Sequence, residues 1–368
     1  VNDAWKAWMA YGFLNVDSRN GVLHACDGSG FYDVVYGYSA ALYCVALDMM
    51  GMHDAARANL ESLLTFQQPD GLISTNFGHT DMGVILYALR FHQQARPDNE
   101  WFRSIAPRIL KMRDWVNSHR RESMQSHMFG RHVAYGLIRY WPFCDCRVAA
   151  FDYFANAWQC MGLEYAAQIL EEVGITTAPR QLRADAAEFR ADILKSMDSA
   201  VLTLDGVKTL PIHPDTHLIL KLSNYTAGSY YGLLAPCVLE PAFLDTSDPR
   251  PGWLIDPIEK RGGLHVGIAA FVTDQIDHAY GYGYLRHMLL RGEAKKVILA
   301  FYGWMAYGMT RETYAGVECT NIATGENFWT LPHLYSGTQQ LRLLRMMLMH
   351  EDGKNLLLCH ATPRPWLE

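Results

Sequence analysis

Gly71-Leu72-Ile73-Ser74-Thr75-Asn76-Phe77-Gly78-His79-Thr80-Asp81-Met82-Gly83-Val84-Ile85-Leu86-Tyr87-Ala88-Leu89 reads as a glycine-led turn, a polar loop and then an apolar helix. The opening pair, a glycine followed by an aliphatic residue, recurs six times: Gly21-Val22, Gly71-Leu72, Gly136-Leu137, Gly206-Val207, Gly263-Leu264 and Gly316-Val317. By subtraction the intervals are 50, 65, 70, 57 and 53 residues, each long enough for two helices and their connections.

The helices between these marks are of two kinds. Trp101, Ile105, Ile109, Met112, Trp115 and Val116 step by three and four with Arg103, Arg108 and Lys111 between them, the pattern of a helix with one buried face. Leu182, Ala186, Phe189, Ile193 and Met197 repeat it, as do Ala55, Leu60, Leu63 and Leu64. By contrast Ala40 to Met50, Val84 to Leu89, Tyr230 to Ala235 and Leu341 to Leu348 are apolar on most sides, which means burial all round. Strict succession of the two kinds predicts an all-α fold, an inner ring of six helices wrapped by an outer ring of six, with short β segments in the loops.

The toroid is expected over residues 1–353. Residues 354–368 form an extended tail whose Asn355-Leu356-Leu357-Leu358-Cys359 reads as a strand, the possible start of a β domain. The Val297 to Gly308 helix is too apolar for an outer position, and an additional β domain or a second copy of the chain is expected to cover it.

Composition narrows the function classes. Half of the 368 residues are apolar and 19% are charged, so the chain is not disordered. A formal net charge of -6 argues against a nucleic-acid partner, which favours a basic face. No apolar run reaches the length of a membrane span. The eight cysteines contain no C-x-x-C pair and no zinc-finger spacing, so neither metal nor cofactor is expected. They read as free thiols of a reducing compartment. Val1 is not a natural start, so a removed leader also fits, and a cytoplasmic or periplasmic location is the expectation.

In a ring of hairpins, all connections from outer to inner helices emerge at one mouth. The loops after the six glycines therefore pool their polar residues in space. They carry Asp27, Tyr32, Asp33, Tyr36 and Tyr38; then Asn76, His79 and Asp81; then Arg139, Trp141, Asp145 and Asp152. The later loops carry His213, Asp215, Asn224 and Tyr225; then His265, Asp274, Asp277, His278 and Tyr280; and last Glu312, Glu318, Glu326, Trp329 and His333. The opposite connections, such as Gly51-Met52 and Gly292-Glu293, are plain tight turns. Aromatics able to stack on sugar rings and carboxylates able to move protons collect at one end. A glycosidase needs two such carboxyl groups, one protonated to release the leaving oxygen and one ionised.

The segments Gly71-Leu72-Ile73 to Asp81-Met82-Gly83, and Glu312 to His333 ahead of Leu341-Arg342-Leu343-Leu344, resemble those of the six-hairpin glycosidase superfamily, over nearly the whole chain. The resemblance implies an (α/α)6 toroid, and its layout is most similar to the α-L-rhamnosidase type. There one catalytic carboxylate lies early, matched here by Asp81, and a glutamate precedes the last inner helix, matched by Glu318 or Glu326. The superfamily's residue at position 81 is Glu where this chain has Asp.

Each candidate also has a structural reading. Asp81 opens an apolar helix, where Asp is a favoured N-cap and the helix terminus would lower its pKa, suiting a base. Resemblance makes it an acid, and the role stays open. Glu312 has Arg311 beside it as a partner. Glu318 ranks first of the three late glutamates because it follows the sixth glycine mark, where the loop begins. Asp277 and His278 precede an inner helix and could simply cap it. His79 and His333 could donate to sugar hydroxyls, with Tyr36, Asp145, Asn224 and Tyr225 beside them. Trp141 and Trp329 could be sugar platforms or core.

The function expected is hydrolysis of a glycosidic bond of an oligo- or polysaccharide, inverting and exo-acting. The alternative is a polysaccharide lyase performing β-elimination on a uronate glycan, with Asn224, Tyr225, His278 and Arg139 serving. An epimerase would need His265 and His278 to face one another, and a non-catalytic sugar-binding scaffold is the fourth reading.

Overall fold

The structure, a computed structural model, describes residues 1–75, 78–124, 131–142, 148–215, 231–271, 274–353 and 355–368. The outer helices are α1 (Asn2–Leu14), α3 (His53–Leu64), α5 (Asn99–Glu122), α7 (Ala178–Ala200), α9 (Arg250–Lys260) and α11 (Ala294–Tyr307). The inner ones are α2 (Gly37–Met49), α4 (Thr80–Ala95), α6 (Tyr153–Glu172), α8 (Tyr231–Leu239), α10 (Tyr282–Leu290) and α12 (Leu334–Leu348). Each inner helix packs on the next, and α12 packs back on α2, so the inner ring closes. This is the (α/α)6 toroid that the alternation of helix types predicts.

Local sequence explains the two layers. In α2 every residue from Ser39 to Asp48 is buried, because an inner helix meets neighbours on both sides and an outer helix behind. In α5 the apolar positions Trp101, Phe102, Ile105, Ile109, Met112, Trp115 and Val116 are buried along one stripe. Its start is set by Asp98, whose carboxylate accepts from the Trp101 N–H at 3.0 Å, satisfying one of the orphan donors of the first turn. Asp152 does the same for α6, accepting from the Ala155 N–H at 2.7 Å. These layers merge into one apolar core that includes Trp115, Trp158 and Trp304.

The two ends of the toroid differ. At one end α2, α4 and α10 pass to their outer partners through Met50–Met52, Arg96–Asp98 and Arg291–Glu293. At the other, long connections carry the short β segments. Gly21, Gly71, Gly136 and Gly206 hold φ values of 78°, 106°, 76° and 78°, a region that favours glycine. Gly263 and Gly316 do not. They are required by space instead, a Cβ at Gly263 falling 2.9 Å from Ile258 Cα and one at Gly316 falling 3.1 Å from the Gly337 amide.

A five-stranded antiparallel sheet lies over the mouth, in the order Asn327–Phe328, Cys319–Asn321, Gln275–Asp277, Ile268–Phe271, Leu264–His265. It pairs the short β segments of the fifth and sixth mouth loops with one another.

At the C-terminal side, Asn355–Leu358 is a strand, paired antiparallel with Met349–Asp352. The tail then returns to α11, where Trp366 packs on Phe301 and Tyr302 with ring centroids at 5.3 and 6.3 Å. The apolar excess of α11 is thus met in part from within the chain. Leu299 and Tyr302 remain about half exposed, at 52% and 46%. No helix among the described residues is long and apolar enough to cross a membrane. Cys26, Cys44, Cys160, Cys237 and Cys319 are buried free thiols and Cys359 is an exposed one.

Candidate active site

The N-terminal ends of the inner helices converge on one cavity. Asp27, Tyr36, Tyr38, Thr75, Asp81, Phe154, Tyr280 and Tyr335 are among its walls. Its floor is aromatic: Tyr38 meets Phe154, Tyr335 and Trp158 edge-on with centroids 5.4–6.0 Å apart, and Tyr280 meets Tyr335 at 5.3 Å. Such edge-to-face packing fixes ring orientation as well as burying area.

Asp81 occupies one wall. Its Oδ2 accepts from the Thr75 N–H at 3.0 Å and from the Thr75 hydroxyl at 2.7 Å. The same hydroxyl oxygen accepts from the Gly37 N–H at 2.7 Å. Asp81 therefore sits against the start of α2 as well as in the first turn of α4. A Cβ at Gly37 would lie 2.6 Å from that Oδ2, so only glycine lets the carboxylate come this close. Local electrostatics alone predicts a lowered pKa at such a place. The opposite holds: burial pushes Asp81 up to about 6, outweighing the bonds from Thr75, Tyr38 and Gly37. A side chain 7% exposed loses more from desolvation than these donors restore.

A second acidic group gathers around His333. Asp27 Oδ2 lies 3.8 Å from His333 Nε2, while His333 Nδ1 bonds the Ser336 hydroxyl at 2.7 Å. Burial lowers the imidazole's affinity for a proton, but Asp27, Glu318 and Asp277 together outweigh it, and His333 is raised. Glu318 accepts the Thr330 N–H at 3.1 Å; burial raises its pKa against the opposing pull of His333. Asp277 stands opposite Cys319 in the sheet and caps the backbone of Ala279 at 2.7 Å. Burial first, then the charge of Glu318, push it up to about 7.

The other sequence-derived residues are placed as follows. Tyr36 lines the cavity. His79 and His278 are fully buried and held neutral, burial lowering each to about 3. His79 lies 5.9 Å from the Trp115 ring, and His278 Nε2 bonds the Thr320 hydroxyl at 3.1 Å, so both stand behind the wall rather than in it. Trp141 is partly exposed on the rim beside Tyr140, at 5.5 Å. Trp329 is 59% exposed and stacks with Phe31, 56% exposed, at 6.4 Å. Glu312 is exposed in a turn with φ 67°, and Glu326 is exposed in the turn between the strands Cys319–Asn321 and Asn327–Phe328. Neither joins the buried group. Asp145, Asn224 and Tyr225 lie outside the described residues.

Three participants carry no local signal of their own. Thr75 belongs to the loop before α4 and is marked only by its distance of six residues from Asp81. Phe31 extends the Trp329 stack through Tyr32, at 4.4 Å, to Tyr36, at 5.5 Å from Tyr32. Asp27 is one polar loop residue among several until His333 is brought beside it. Among the described residues no group of three His, Cys, Asp or Glu is arranged to hold a metal ion.

No family model matches the chain, and a search of curated proteins finds no match. Solved structures do match. A wild-type glycosidase superposes with TM-score 0.63 at 11% identity, covering 93% of this chain and 95% of that one. The chain has the fold of the six-hairpin glycosidases. A metal-independent α-mannosidase of Streptococcus pneumoniae, in a non-productive complex with α-1,6-mannobiose, gives TM-score 0.62 at 9% identity over 93% and 92%. A bacterial glucoamylase with acarbose gives 0.57 at 12% identity, covering 86% of this chain and 49% of that one. At these identities the likeness is one of fold.

Proposed function

We propose that the protein is a glycoside hydrolase that removes sugar from the end of a carbohydrate chain with inversion, using Asp81 as acid and Glu318 as base. The observation that carries this reading is the pair of buried acidic groups at the mouth, each raised in pKa and each in a different electrostatic setting. Among the described residues no cation contributes to the pKa of Asp81, which keeps a proton into the mildly acidic range, as a general acid needs. Glu318 feels the charge of His333, which favours its ionised form against the effect of burial.

In the proposed reaction Asp81 gives its proton to the glycosidic oxygen as the C1–O bond breaks. Glu318 takes a proton from a water that attacks C1 from the opposite face. This requires the carboxyls to stand roughly 6.5–9.5 Å apart. Exo action is the reading supported by the aromatic rings of Tyr38, Phe154, Tyr280 and Tyr335 that line the cavity. The exposed Trp329–Phe31 stack suits the sugar rings that remain outside. The fold likeness to enzymes named glycosidase, mannosidase and glucoamylase supports the reaction class and leaves the sugar open.

The experiment is a panel of aryl glycosides and oligosaccharides, with the first product's anomer followed by NMR. D81N and E318Q are each expected to lower kcat at least 100-fold on the best substrate. Full activity in E318Q, retention of anomeric configuration, or an ultraviolet-absorbing product from a uronate polymer would each overturn the proposal.

A further inference from the structure

Beneath the aromatic floor of the active site lies a buried ion pair that the reaction itself does not use. Glu240 follows the end of α8 and Arg342 belongs to α12. Their side chains are 1% and 2% exposed, and the guanidinium donates to Glu240 Oε1. The other carboxylate oxygen accepts from the Tyr38 hydroxyl at 2.7 Å, and Arg342 lies over the Tyr282 ring at 3.9 Å. A Cβ at Gly283, next to Tyr282, would fall 2.7 Å from the Glu240 amide nitrogen, so α10 presses directly on this backbone.

Stability alone does not call for charge at such a place. Desolvation of both groups opposes their attraction, and apolar side chains of the same volume often do as well or better. The bonds of this pair, however, reach both walls of the site. On one side stands Tyr38, whose ring meets Phe154, Trp158 and Tyr335 edge-on. It lies in the first turn of α2, where the backbone of Gly37 and Tyr38 supplies donors to Asp81. On the other side, Arg342 donates to Gln339 Oε1 at 2.6 Å, and Gln339 Nε2 donates to the Ala279 carbonyl at 3.0 Å. The same short segment carries the Ala279 N–H, which donates to Asp277 at 2.7 Å, and the His278 N–H, which donates to the Glu318 carbonyl at 2.9 Å. One guanidinium thus ties the two walls together through hydrogen bonds, whose geometry is narrow.

We propose, on the hydrolase reading of this site, that Glu240 and Arg342 are positioning residues: they hold Tyr38 and the Asp277–Ala279 segment so that Asp81 and Glu318 keep a fixed separation across the bound sugar. Neither touches the substrate, since neither lines the cavity.

Three variants test the assignment by melting temperature and by kcat and KM against pH. R342M strands the buried Glu240 charge and is expected to melt well below the wild type. Y38F/E240L/R342M replaces the hydroxyl and both charges by apolar groups. It should recover most of the lost melting temperature while kcat stays about tenfold or more below the wild type. Y38F alone keeps the ring and should lower kcat by about tenfold with KM little changed. It should also move the basic limb of kcat/KM up, because a displaced first turn of α2 weakens the donors that lower Asp81. Recovery of kcat together with melting temperature in the triple variant, a triple variant that melts as low as R342M, or wild-type kinetics in Y38F would overturn the proposal. The hydrolase reading fails separately, on full activity in D81N or E318Q or on no hydrolysis at all. Positioning is then read without substrate, from the stability that D81N gains at neutral pH: a larger gain in the triple background than in the wild type supports it, and an equal gain overturns it.

Discussion

Replacing Asp81 by Asn should change the protein's stability in a pH-dependent way that needs no substrate to observe. Burial raises the Asp81 carboxyl from its ordinary value of 3.8 to about 6. The folded state then binds more protons than the unfolded state between those two values, and stability falls as pH rises through that window. Worked from these two values at about 1.36 kcal/mol per unit, the penalty from Asp81 is about 1 kcal/mol at pH 4.5 and about 3 kcal/mol at pH 7.5. Asparagine does not titrate, yet its side-chain oxygen can still accept from Thr75. D81N should therefore gain about 2 kcal/mol relative to the wild type between pH 4.5 and 7.5. Asp277 and the other carboxyls are present in both proteins and cancel in the comparison. Urea denaturation at the two pH values measures the gap. A gap that stays constant, or narrows as pH rises, would mean that burial does not control Asp81 and would remove the ground for calling it an acid.

Three further outcomes follow from the same geometry. T75A removes the hydroxyl bond to Asp81 Oδ2, a bond to a charged acceptor worth about 1.5–3 kcal/mol, so the basic limb of kcat/KM against pH should move up by about 1–2 units; an unmoved limb would detach Thr75 from the acid. W329A should raise KM for an oligosaccharide by roughly 2- to 12-fold, the equivalent of about 0.5–1.5 kcal/mol of ring contact, while leaving a short aryl glycoside nearly unaffected; equal effects on both would argue against a platform. G37A sets a Cβ 2.6 Å from Asp81 Oδ2 and should lower kcat by roughly 100-fold, since a misplacement of about 1 Å has that cost; wild-type kinetics would show that the carboxylate can sit elsewhere.

The toroid was legible because its signals are local. Whether a helix is amphipathic, as in α5, or apolar throughout, as in α2, is written within a dozen consecutive residues, and the alternation of the two kinds implies two layers. Pooling of the mouth loops follows from that alternation without any side-chain detail. The sequence therefore led to Asp81, Glu318, Asp277 and His333 as members of one rim, but not to their relations.

Those relations are properties of tertiary structure. Cys319 opposes Asp277 across strands 42 residues apart in sequence, and strand pairing at that distance leaves no periodic trace. Only this pairing brings Asp277 within the field of Glu318, and only the fold brings Asp27 beside His333. The same holds for Asp81: the helix terminus, a local effect, argues for a lowered pKa, whereas the rings of Tyr38, Phe154 and Tyr335 come from three other inner helices. Desolvation sums over every neighbour in space. Helix identity is decided by the chain's own repeat, while the charge state of a carboxyl is decided by whatever distant segments surround it.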